Sequence, residues 1–178
     1  ATTVLFAGLS SYVASSERII GEIYGRPDLF VWIFGAIGVL MSAFALVNSR
    51  LSSRYGARST LRGLLIVYTI VAALLLLYSV SVGDPPGIIP FFIGVALLLA
   101  INLAVEPNSS SLALEPMGEM AGMAAAVYGT CFFFIGSALG SIINILMVDG
   151  VFPLAVSFFI IGIITVVLVC AGDQKIEK

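Results

Sequence analysis

The chain has 178 residues, 60% hydrophobic and 10% charged, with a formal net charge of −2. A soluble domain carries about 25% charged residues, and one core of this size could not hide so much apolar surface; at a mean hydropathy of +1.15 a water-soluble fold is excluded. The absence of histidine excludes Ser-His and Cys-His catalysis and a histidine-held haem.

In lipid, backbone polar groups must be satisfied internally, which leaves helices or a closed barrel. The apolar runs are about 20 residues long and do not alternate, so helices are expected. No basic tract with interleaved aromatics is present, so nucleic acid is not an expected partner. Neither a phosphate-cradling glycine loop nor a metal-binding motif is visible, and no cofactor, metal or enzymatic activity is expected. Cys131 and Cys170 lie inside apolar runs and read as buried structural thiols.

The first apolar run, residues 1–14, is too short to cross a core of about 30 Å by itself. It is expected to continue as helix to Ile23, with Ile19, Ile20 and Ile23 on one face, as at a membrane surface. The chain starts with Ala1 inside this run and is expected to be a fragment that begins within a helix. Gly25 and Pro27 stop that helix, and Asp28 can cap the next. The second run follows, with Phe30 and Trp32 placed for an interfacial aromatic belt. The basic stretch 49–62 holds Arg50, Arg54, Arg58 and Arg62, four of the eight positive charges. A Leu- and Val-rich third run ends at the break 83–87. The fourth run is apolar but for Asn102, then passes through Glu106, Pro107 and Asn108. The fifth is dotted with glycine; a turn at Asp149 and Gly150 leads to the sixth and a polar tail. The expected architecture is an all-α membrane protein. It forms a single transmembrane domain over 1–178, with six transmembrane helices over about 1–23, 29–49, 60–82, 87–113, 119–148 and 151–172, the first one truncated.

Lys and Arg in short loops set orientation. The loop 49–62 and the tail with Lys175 and Lys178 are therefore expected in the cytoplasm, in a multi-pass protein of the plasma (inner) membrane. The lipid bilayer is the first partner.

Asn102 and Glu106 are four residues apart and share a helix face. A carboxyl at membrane depth is expensive and faces a cavity or a partner. Glu106 therefore reads either as a cavity-lining acid for a proton or cationic substrate, or as an interfacial side chain reaching headgroup water. Thr2, Thr3, Ser10, Ser11 and Tyr12 on the first helix either line an aqueous path or bond between helices. Gly118, Gly122, Gly129, Gly136 and Gly140 form a stripe on the fifth, with Gly136 and Gly140 in G-x-x-x-G spacing. Helix packing is its expected role, carried by Gly129, Gly136 and Gly140. Tyr128, Thr130 and Asn144 are assigned as packing glue.

Segment 49–58 is similar to the loop motif G-x-L-x-D-R-x-G-R-R of the major facilitator superfamily. Leu51, Arg54, Gly56 and Arg58 match; Ser49 replaces the first glycine and Ser53 the aspartate. Three further stretches resemble its drug:proton antiporter branch of Bcr/CflA type. They are Tyr12 to Ser16 with the following Ile-Ile-Gly-Glu-Ile-Tyr-Gly, Asn48-Ser49-Arg50-Leu51, and Pro107-Asn108 followed by Ala121 to Ala126. The resemblance implies the C-terminal six-helix half of a 12-helix transporter, built as 3+3 inverted repeats, with the substrate site between halves. It implies that the first and fourth helices line the cavity, placing Tyr12, Asn102 and Glu106 on the substrate and proton pathway. The implied function is proton-coupled efflux of small amphipathic molecules by alternating access. The missing N-terminal half, a small-molecule substrate and protons would be partners. A six-helix scaffold without transport, or an uptake carrier of the same fold, are the alternatives.

Overall fold

The computed structural model describes residues 2–147 and 150–173. Ala1, Val148, Asp149 and the tail with Lys175 and Lys178 lie outside the described residues, with the expectations attached to them. Among the described residues there are six α-helices and no strand. These are α1 (Thr2–Arg18), α2 (Phe30–Tyr55), α3 (Ala57–Val82), α4 (Ile88–Leu114), α5 (Ala121–Leu146) and α6 (Phe152–Asp173). Helices α2 to α6 are long and apolar enough to cross a membrane. Helix α1 has 17 residues, about 25 Å at 1.5 Å per residue. It runs on into a π-helical turn, Ile19–Ile23.

The basic stretch is not a loop. Nothing in residues 50–55 breaks a helix, so α2 continues to Tyr55, and Gly56 alone separates it from α3. Gly56 sits at φ 82°, ψ 152°, a backbone region that costs other residues a steric clash. Its N–H closes α2 on the Ser52 carbonyl at 2.9 Å, and its carbonyl accepts from Thr60 N–H at 3.1 Å. Asp28 does not cap α2 either. It lies in a 3-10 turn, Pro27–Leu29, and pairs with Arg26 at 3.0 Å; the bidentate guanidinium outcompetes the backbone amides for the carboxylate.

Helix α4 is the centre of the bundle. Sixty-one per cent of its spanning window is buried inside the chain, against 6% for α2. As far as Val105 its sequence is apolar but for Asn102, which suits a helix buried against several neighbours. Helix α1 packs most extensively on α5; α2 and α3 both pack on α4, α6 packs on α1, and α3 on α6. Exchanging α1 with α4, α2 with α5 and α3 with α6 maps this set of neighbours onto itself.

The two cysteines are exposed on the chain surface, against the expectation of buried thiols. Lipid is as apolar as a side-chain interior, so nothing drives a cysteine inward. Two ends of the bundle can now be named. The Gly56 end carries the α2–α3 junction and the α4–α5 connection. The Asp84 end carries the α3–α4 connection, the α5–α6 turn and the end of α1.

Candidate functional site

Asn102 and Glu106 share one face of α4, and Asn108 lies on another, towards α2. Asn102 is buried and donates from Nδ2 to the Leu5 carbonyl at 2.6 Å, tying α4 to the backbone of α1. One turn on, Glu106 is half-buried and is the only charged residue of α4. The helix does not end at Pro107 but continues to Leu114. Asn108 is buried and donates to Asn48 Oδ1 at 2.7 Å and to the Ala104 carbonyl at 3.1 Å. Two asparagines from separate sequence motifs thus meet between α2 and α4.

Tyr12 is fully enclosed, and its hydroxyl has no hydrogen-bond partner among the described residues. It shares α1 with Thr2, whose hydroxyl lies 2.9 Å from the Tyr128 hydroxyl of α5. The Tyr128 ring stacks on Phe132 at 6.0 Å, and Phe132 meets Phe6 of α1 at 4.8 Å. The Glu106 carboxyl lies within electrostatic range of the Tyr128 hydroxyl. Thr2 and Tyr128 thus join α1 to α5 near the Gly56 end. Residue type gave no means of pairing Tyr128 with Thr2, since the two lie 126 positions apart.

Close approach of α5 to α1 is confined to one end of the glycine stripe. A Cβ on Gly136 would sit 2.6 Å from a Phe6 ring carbon, and one on Gly140 would sit 2.9 Å from the Ala7 carbonyl oxygen. A Cβ on Gly122 or Gly129 would meet nothing within 4 Å. Gly136 and Gly140 are the two stripe glycines that lie opposite residues 3–10 of α1.

At the Gly56 end, Ser49, Ser52, Ser53, Asn48, Asn108 and Ser111 border a cavity of about 420 Å³ between α2 and α4. A neighbouring cavity is bordered by Arg58, Ser59, Arg62, Ser111 and Glu115. Arg54 lies over the Tyr55 ring at 5.4 Å, and Ser53 donates to the Arg50 carbonyl at 3.0 Å. Leu51 is exposed. Towards the Asp84 end, Ile33, Ile37, Leu40, Phe92 and Ile93 help line an apolar groove of about 600 Å³ between α2 and α4. Outside the membrane-spanning segments, Arg26 bonds Asp28 and holds its carboxyl below the usual carboxylate range. No grouping of His, Cys, Asp and Glu suited to a metal exists among the described residues.

The chain is 30% identical over 172 residues to the "Bicyclomycin resistance protein homolog" of Haemophilus influenzae, covering 96% of this chain and 42% of that protein. It is 26% identical over 161 residues to the "Uncharacterized MFS-type transporter YdgK" of Bacillus subtilis, covering 90% of this chain and 39% of that one. The chain belongs to the major facilitator superfamily. No family model matches it, and no solved structure matches it. The chain spans less than half the length of these two major facilitator relatives. Neither relative bears the name of an enzyme.

Proposed function

We propose that this chain is the C-terminal six-helix half of a secondary-active transporter that exports small amphipathic molecules in exchange for protons. Its partner is an N-terminal half of the same protein. Its place is the cytoplasmic membrane, with the Gly56 end and the C-terminus inside. Support for a half comes from the relatives, each more than twice as long as the matched region. Support for 3+3 inverted repeats comes from the neighbour pattern, which is unchanged when α1 to α3 are exchanged with α4 to α6. Support for drug export comes from the relative named for bicyclomycin resistance.

One observation carries the coupling assignment. Glu106 is the single carboxylate of an otherwise uncharged 27-residue helix, half-buried beside Asn102 and within range of Tyr128. A carboxyl so placed changes charge at a cost set by its surroundings, so protonation biases the two states of an alternating cycle. Tyr12 and Asn102, on the two helices that would face the other half, are buried within this one and would hold those helices in place beside the pathway. The motif residues Leu51, Arg54, Gly56 and Arg58 act as the cytoplasmic pin of the topology.

The test is Glu106→Gln in the full-length protein. Proton-driven efflux from inverted vesicles is expected to be lost while insertion and substrate binding persist. Normal efflux with the same pH dependence would remove Glu106 from the coupling role.

A further inference from the structure

The start of α3 is electrostatically unfinished. Its first turn holds Arg58 and no acidic residue, and no side chain caps it. The leading amides of a helix have no partner within the helix, and they form its positive end. A cation there adds to that potential instead of offsetting it. Helices α2 and α3 together contain Arg50, Arg54, Arg58 and Arg62 and neither aspartate nor glutamate.

Two cavities meet at this helix start: Ala57, the first residue of α3, and Ser111 of α4 border both. In the inner one, between α2 and α4, a second group lacks a partner. Asn48 borders it and is only 5% exposed. Its Oδ1 accepts from Asn108, but its Nδ2 has no partner among the described residues. An amide so buried is normally hydrogen-bonded. Ser49, Ser52 and Ser111 add hydroxyls around the same space. The outer cavity is bordered by Arg58, Ser59 and Arg62, with Glu115 on its rim. Ser53, which stands where the loop motif has aspartate, borders the inner cavity. A carboxylate there would repel an anion, and a hydroxyl does not. The apolar run of α2 ends at Val47, so the site lies at headgroup depth. Helix amides, a buried carboxamide N–H, hydroxyls and a guanidinium are donors that suit the several acceptor oxygens of a phosphate. We propose that the start of α3, with Asn48 and Arg58, binds the phosphate group of a net-negative ligand. An anionic lipid headgroup and a free phosphate share this chemistry. The site is independent of what the protein carries.

Equilibrium binding to the purified full-length protein in neutral-detergent micelles tests it. The probes are radiolabelled dioleoylphosphatidylglycerol and radiolabelled inorganic phosphate, with zwitterionic dioleoylphosphatidylcholine as the reference lipid. Salt is held at about 0.15 M, which screens charges more than about 8 Å apart. Saturable binding of at least one probe is expected, the anionic lipid binding more tightly than the zwitterionic one if a headgroup is the ligand. Arg58→Gln and Ser53→Asp are each expected to weaken that binding by about five-fold or more. Arg50→Gln removes the same charge from an exposed position that borders neither cavity, and is expected to change it by less than about two-fold. Binding of the lipid without binding of phosphate assigns the site to a headgroup; binding of phosphate with the same response to the variants assigns it to a soluble anion. Three results would each overturn the site. They are no saturable binding of phosphate together with no preference for the anionic lipid, no response to Ser53→Asp, and a loss in Arg50→Gln equal to that in Arg58→Gln, which would mean diffuse surface charge.

Discussion

Asn102 and Asn108 each direct an amide away from α4, one to the α1 backbone and one to Asn48 of α2. In a membrane interior such bonds are worth about 0.6 kcal/mol on average, because the unfolded helices also find partners. A double-mutant cycle of Asn48→Ala and Asn108→Ala, read by unfolding of the purified protein, is expected to give a coupling of about 0.5–1 kcal/mol. Tyr128→Phe keeps the stack on Phe132 but loses the bond to Thr2. It is expected to cost little stability and, on the proposed coupling role, to shift the pH profile of efflux. At the loop, Arg26→Gln is expected to raise the Asp28 pKa towards the ordinary carboxylate value, as followed by carboxyl carbon NMR. A depressed carboxyl favours the native state above its unfolded pKa, and that contribution fades as pH falls through the folded value. The pair is exposed, so the stability of the bundle is expected to stay unchanged in this variant across the acid range.

Helix α5 shows how one element divides between packing and exposure. Gly136→Leu or Gly140→Leu drives a side chain into Phe6 or into the backbone of α1, and a loss of about 1–3 kcal/mol is expected from overpacking. Gly129→Ala meets open space and is expected to change stability by less than about 0.5 kcal/mol. Thermal unfolding of the three variants side by side checks the contrast. At the α2–α3 junction, Gly56→Ala places a Cβ at φ 82° and is expected to cost about 1 kcal/mol, by the same measurement. The helical elements were legible because hydropathy is a local property of sequence, whereas the one-residue junction was not. Four arginines and four serines between 49 and 62 resemble a loop in composition, yet a helix end at a membrane surface tolerates the same residues.

For the whole molecule, the neighbour pattern pairs α1 with α4, α2 with α5 and α3 with α6. On the proposed half-transporter reading, the cavity needs a second unit to close it. Expressed alone, the chain is expected to insert but to give no efflux. Co-expression with the N-terminal half is expected to restore it, measured as substrate retention in intact cells.

The sequence by itself determined the solvent, the number of helices, and Asn102 and Glu106 as the polar residues of α4 to examine. Each follows from local hydropathy and from the cost of placing a polar group in hydrocarbon. Only the tertiary structure decided which side chains meet. Asn48 finds Asn108 across 60 positions, Asp84 finds Val151 across 67, and Thr2 finds Tyr128 across 126. It also turned Cys131 and Cys170 outward and enclosed Tyr12. In water, an apolar face marks the inside of a helix. In a bilayer both faces are apolar, so the pattern that would point a helix at its neighbours is missing from the sequence and arises only when the helices pack.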